Sequence, residues 1–204
     1  MNATHRSTLR TFGVAVRAAL VATAVLGVGY TLLVTGVAQL ALPAQANGSL
    51  VSDSAGETAG SRLLGQSFTD AEGAALPEYF QSRPSAAGDG YDGEASSGSN
   101  LGPENDDLIA AISDRKAAVA EREGVDPADV PADAVTASAS GLDPHISVAY
   151  AELQIVRVAD ARGIPLTEVR SLVTEHTAAP DLGYLGERRV NVLELNLALD
   201  RLEG

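Results

Sequence analysis

The stretch Ala18-Ala19-Leu20-Val21-Ala22-Thr23-Ala24-Val25-Leu26-Gly27-Val28-Gly29-Tyr30-Thr31-Leu32-Leu33-Val34-Thr35-Gly36-Val37-Ala38-Gln39-Leu40-Ala41-Leu42 carries no charged side chain. An α-helix needs about 20 apolar residues to cross about 30 Å of hydrocarbon, and this run is longer. Lipid offers no hydrogen bonds to the backbone, so a spanning segment must be helical. Gly27, Gly29 and Gly36 would weaken a water-exposed helix but suit close packing in a membrane. Gln39 lies near the far end, placed to reach the interface or a partner helix.

The flanks set the orientation. Arg6, Arg10 and Arg17 precede the run with no acid among them, and the first charges after it are Asp53 and Glu57. Positive charge stays inside, so the N-terminus is expected in the cytoplasm and the chain after residue 42 outside. A cleaved signal peptide is the rival: Ala44-Gln45-Ala46 fits a small-x-small cleavage site. Its apolar core, however, is typically about 7–15 residues, much shorter than this run. The organisation expected is a basic cytoplasmic tail at 1–17, a transmembrane helix at 18–42 and one α+β domain at 43–204, with a small sheet and several helices.

There is no cysteine among the 204 residues, which rules out disulfides and thiolate metal sites. Only His145 and His176 follow the anchor, which argues against a histidine zinc site. All 27 acidic residues lie after position 52 and only 11 of the 14 basic ones do, leaving about −16 outside the anchor. Such a domain repels nucleic acid and anionic lipid. Aromatics are 4% of the chain, too few for a stacking surface.

Past the anchor, Leu50-Val51 and Arg62 to Phe68 are expected to pair as a hairpin. Tyr79-Phe80 stand out as core or interface anchors, and Arg83 before Pro84 as the donor of a structural salt bridge. Residues 87–99 are Gly- and Ser-rich loop without a phosphate-binding pattern. A helix capped by Asn105 or Asp106 is expected to end at Gly124, its charges from Asp114 to Glu123 on a solvated face. Helices are also expected over 148–162, capped by Ser147, and over 168–176, capped by Thr167. The end of the chain reads as a strand over 189–193 and a helix over 194–202. Gln154 and Arg157, three apart, share a helix face and are expected to bond each other and a carboxylate such as Asp160, or else to face a partner.

Val135-Thr136-Ala137-Ser138-Ala139-Ser140-Gly141-Leu142-Asp143-Pro144-His145-Ile146-Ser147 is the most unusual segment. Ser140, Asp143 and His145 invite comparison with a catalytic triad. Triad members usually come from separate elements, and no Gly-x-Ser-x-Gly elbow is present. A turn followed by a helix cap explains the same residues.

The ordered blocks nevertheless resemble one family: the C subunit, KdpC, of the bacterial potassium-transporting Kdp ATPase. The blocks are Gln45 to Leu50; Leu64-Gly65-Gln66 with Phe68; Tyr79-Phe80 with Arg83-Pro84-Ser85-Ala86; Gly98-Ser99-Asn100-Leu101; Val135 to Asp143; Ile146-Ser147; Gln154 with Arg157-Val158-Ala159; and Val190 to Asp200. Departures are Ser97-Gly98, where the family often has Gly-Gly, and the pair Gln81-Ser82.

The resemblance implies an accessory, non-hydrolysing subunit beside a potassium-translocating A subunit, an ATP-hydrolysing B subunit and a small F subunit. It implies a catalytic chaperone that raises the ATP affinity of the B subunit, with Gln154 where a nucleotide-linked role has been suggested. It implies no bound cofactor beyond ATP reached through the complex. Tyr79, Phe80, Arg83, Ser99, Asn100, Ser138, Ser140, Gly141, Asp143, Arg157, Asn191 and Asn196 become candidate interface or structural residues. ATP is cytoplasmic and Gln154 is expected outside, so a position over the external mouth of the A subunit is the favoured role. A membrane-anchored hydrolase using Ser140 and a stand-alone cell-surface binding protein are the alternatives.

Overall fold

A computed structural model describes residues 3–202. Met1, Asn2, Glu203 and Gly204, and the side chains of residues 3–7 and 9, lie outside the described residues. The chain divides between Ser49 and Leu50 into two units.

The first unit is a long helix. α1 (Ala3–Ala22) runs into a π-helical stretch, Thr23–Tyr30, and continues as α2 (Thr31–Ala41). Residues Arg10–Ala41 are long and apolar enough to cross a membrane, and none of that window is buried within the fold. The basic tail expected at 1–17 is itself helical from Ala3. π-turns mark irregular points in helices, and this one contains Gly27 and Gly29. The ladder stops at Leu42 (φ −138°), and Pro43 opens the short α3 (Pro43–Ala46). Gln39 takes a local partner: its amide and that of Asn47 donate to each other at 3.3 and 3.1 Å.

The second unit is α+β. β1 (Leu50–Ser52) and β2 (Thr58–Ser61) form an antiparallel hairpin. The partner of β1 was expected at 62–68, but the chain returns earlier. Asp53 Oδ1 accepts the N–H groups of Ala55 and Glu57, both at 2.9 Å, which closes a tight turn before Thr58. Leu63, expected in the strand, is 61% exposed.

α4 (Asp106–Glu123) starts at Asn105, whose side chain accepts from the N–H groups of Asp107 and Leu108, and ends at Gly124 in the left-handed conformation (φ +67°). β3 (His145–Ser147) feeds α5 (Val148–Arg162), where Ser147 Oγ accepts from Tyr150 N–H at 3.0 Å. The next helix, α6 (Leu166–Glu175), starts two residues earlier than expected. Pro165 is its cap residue rather than Thr167, because a proline fixes φ and needs no donor there. β4 (Thr177–Ala178) and β5 (Arg189–Asn191) follow, then α7 (Val192–Leu202). β5 lies between β3 and β4 and is antiparallel to both. The last strand is therefore shorter than 189–193, and the helix begins at Val192.

The core gathers Phe80, Ile146, Tyr150, Ile155, Val158, Val169, Val173, Val190, Leu195 and Leu199, each 2% exposed or less. Burying one such side chain contributes about 1.5–3 kcal/mol. α5 buries one face here while Val156, on the other, stays 50% exposed.

Candidate functional site

The segment 79–82 has no strand partner, although Phe80 and Gln81 are buried. Buried backbone groups need partners. Two side-chain amides supply them. Asn196 on α7 accepts from Phe80 N–H through Oδ1 at 2.9 Å and donates through Nδ2 to the Phe80 carbonyl at 3.0 Å. Gln154 on α5 does the same one residue on: Oε1 accepts from Gln81 N–H at 2.7 Å, and Nε2 donates to the Gln81 carbonyl at 3.2 Å. Each amide thus stands in for one rung of a sheet. Gln154 is fully buried and Asn196 is 1% exposed.

Arg157 secures the Gln154 side. Its Nη2 donates to Gln154 Oε1 at 2.8 Å, and its Nη1 donates to the carbonyls of Pro77 and Tyr79. The carboxylate partner expected at Asp160 is instead Glu123, which takes Arg157 Nε at 3.0 and 3.2 Å and Arg122 Nε at 2.7 Å. The Glu123 side chain has no exposed area, so its place is not the solvated face expected for it. A signal was present. An acid in the last turn of a helix opposes the helix dipole, which calls for a compensating cation. Tyr79 lies under Arg162, whose guanidinium is 4.7 Å from the ring centre, and Arg162 donates to Asp200 Oδ1 at 2.7 Å. Burial, then the Asp200 charge, pushes the Tyr79 hydroxyl above its ordinary value.

A second cluster forms around the serine-rich block. Arg83 donates to Asp143 Oδ2 at 3.0 Å and to the Thr136 carbonyl at 3.3 Å, the structural salt bridge expected for it, while its Nε is buried without a partner. Tyr91 donates to the Arg83 carbonyl at 2.6 Å, and Ser85 to that of Gly141 at 2.6 Å. Gly141 has φ +68°, and a Cβ there would sit 2.6 Å from Ala87 N and 2.7 Å from Ser97 O. Only glycine fits so close an approach of backbones. Burial tends to raise the Asp143 pKa. Hydrogen bonds from the His145 ring and backbone N–H outweigh it, with help from Arg83, and hold the carboxyl below its ordinary value.

The triad does not assemble. His145 Nδ1 sits 3.2 Å from Asp143 Oδ1, but Ser140 Oγ accepts from Leu142 N–H and lies 3.4 Å from Ser138 Oγ. Ser138 Oγ in turn accepts from Gly141 N–H at 2.9 Å. Among the described residues no hydrogen bond links Ser140 to His145. Ser99 and Asn100 are exposed, Asn100 with φ +54°. Asn191 donates to the Arg62 carbonyl at 2.8 Å and caps α7 by accepting from Glu194 N–H at 3.1 Å. The structure therefore brings Tyr79, Phe80, Gln154, Arg157 and Asn196 into one cluster and Arg83, Ser138, Ser140, Gly141 and Asp143 into another.

A family profile described as "K+-transporting ATPase, c chain" matches residues 12–201. The chain belongs to the KdpC family. A Potassium-transporting ATPase KdpC subunit of Caulobacter vibrioides (strain NA1000 / CB15N) is 55% identical over 179 residues, covering 87% of this chain and 86% of the relative. One from Mycobacterium tuberculosis (strain ATCC 25618 / H37Rv) is 55% identical over 185 residues, covering 90% and 94%. One from Beijerinckia indica subsp. indica is 53% identical over 178 residues, covering 87% of each. The resemblance drawn from the motif blocks is thus confirmed over residues 12–201. Gln81, Glu123 and Tyr91 complete the two KdpC clusters; the sequence marked Gln81 only as a departure from the family and Glu123 only as part of a solvated face, and it did not mark Tyr91.

Proposed function

We propose that the chain is a non-hydrolysing accessory subunit of an ATP-driven potassium uptake complex in the bacterial plasma membrane. The helix at 18–42 anchors it, with the N-terminus cytoplasmic and the domain at 43–204 outside. Its partners are the potassium-translocating A subunit, the ATP-hydrolysing B subunit, the small F subunit and the bilayer. Family membership over residues 12–201 supports the assembly. The three arginines before the apolar run, with no acid before Asp53, support the orientation.

The observation that carries the mechanism is the burial of Gln154. Both polar groups of its side chain are engaged, by Gln81 and Arg157, and it has no exposed surface. An effect of this residue on ATP affinity then runs through the shape of the domain rather than through contact with nucleotide. The domain acts from the external mouth of the A subunit. There its excess of acidic residues raises the local cation concentration, over a range limited to about 8 Å by physiological salt.

The test is the purified complex with and without this chain. Expected are co-purification with a P-type ATPase subunit, a higher KM for ATP when the chain is left out, and no hydrolysis by the chain alone. Migration of the chain alone while its partners assemble contradicts the proposal.

A further inference from the structure

A cleft of ≈ 350 Å3 opens beside the first cluster, and its lining includes Arg83, Arg115 and Arg122 but no aspartate or glutamate. That is unexpected in a chain of net charge −13. The guanidinium groups are only partly matched. Arg83 has Asp143, and Arg122 shares the buried Glu123 with Arg157. Arg115 donates to the Val135 carbonyl at 3.2 Å and meets no carboxylate among the described residues. The three guanidiniums of the cleft thus have two carboxylates between them, one of which is shared with Arg157 outside the lining, and the Nε of Arg83 is buried without a partner. The phenol of Tyr150 closes the group, accepting from Arg122 Nη2 at 3.0 Å.

We infer that this cleft receives an acidic segment of another subunit of the complex, an extended stretch bearing an aspartate or glutamate that pairs with Arg115. The inference rests on the accessory-subunit reading. Charge selects the occupant, since a guanidinium fork matches a carboxylate. The rest of the lining selects a peptide over a bare ion. Phe68, Ala75, Pro84 and Ala118 supply apolar wall, with the hydroxyls of Ser67 and Thr69 beside it. An inorganic anion satisfies the arginines and leaves that wall wet, whereas a peptide covers both.

The test uses the assembled complex. Ala118 lines the cleft and is exposed on α4, so a benzophenone amino acid placed there leaves the core untouched. Illumination is expected to join the chain to another subunit, at a peptide containing Asp or Glu. Arg115→Glu is expected to cut that adduct roughly tenfold and Arg115→Lys to retain most of it, because reversing one charge of a facing pair turns attraction into repulsion. An adduct unaffected by Arg115→Glu overturns the inference. So does a complex that assembles yet gives no adduct, or an adduct abolished by inorganic phosphate at constant ionic strength, which assigns the cleft to a free oxyanion. Failure of the chain to enter the complex at all contradicts the accessory-subunit reading instead.

Discussion

The side chain of Gln154 meets the backbone of Gln81 twice, accepting its N–H at 2.7 Å and donating to its carbonyl at 3.2 Å, 73 residues apart in sequence. This pairing lets an irregular segment lie in the core without a strand beside it. Gln154→Ala leaves two buried backbone groups and one arginine donor unpartnered. At about 1–3 kcal/mol for each orphaned group, the expected loss is about 2–4 kcal/mol after partial relaxation. Denaturant unfolding of the detergent-solubilised chain measures it. Any fall in ATP affinity of the complex is expected to track this loss across Gln154→Ala, Gln154→Glu and Asn196→Ala. A Gln154 variant with full stability and lost ATP affinity contradicts the indirect role.

Asn196 and Gln154 hold adjacent residues, so their effects should not add. The double variant Gln154→Ala with Asn196→Ala is expected to fall short of the sum of the single losses by about 0.5–3 kcal/mol, the range for groups sharing one network. A double-mutant cycle in the same unfolding assay gives the value.

Glu123 is the shared acceptor of Arg122 and Arg157. Removing it by Glu123→Ala strands two guanidiniums, and breaking a buried pair costs about 3–5 kcal/mol. Glu123→Gln keeps the shape and loses the charge, so it should recover only part of the loss. Thermal melts of the two variants, compared with Glu121→Ala on the exposed face, separate burial from helix propensity.

Burial pushes the Tyr91 phenol up to about 12 from an ordinary 10.0. The folded state therefore keeps this proton while the unfolded chain loses it. Stability is present in full below pH 10 and falls as pH rises from 10 toward 12, with a slope of up to about 1.4 kcal/mol per pH unit. Tyr91→Phe removes both this slope and the bond to the Arg83 carbonyl. Unfolding measured from pH 9 to 12 for both proteins checks it, and equal slopes contradict the assignment.

What the sequence made legible was local. Asn105, Gly124 and Ser147 mark helix ends through the residues next to them, and each does so in the structure. The long apolar helix needed only a run without charge. The hairpin partner of β1 was misplaced because Leu63-Leu64 is more apolar than Thr58 to Ser61, while the Asp53 turn that fixes the return is a subtler signal. The clusters themselves depend on contacts across long separations. Asn196 reaches Phe80 from 116 residues away, and no periodicity encodes that. Motif resemblance marked Gln154, Arg157 and Asn196 as residues to watch, but their roles as backbone partners required the fold.

The side of the membrane on which the domain lies decides between action over the external mouth and contact with cytoplasmic ATP. The chain has no cysteine, so a single one can be placed without background. Ser113, exposed on α4, is a suitable position. In intact spheroplasts, Ser113→Cys is expected to react with a membrane-impermeant maleimide before any permeabilisation. Labelling only after the membrane is opened would contradict the account and place the domain within reach of ATP.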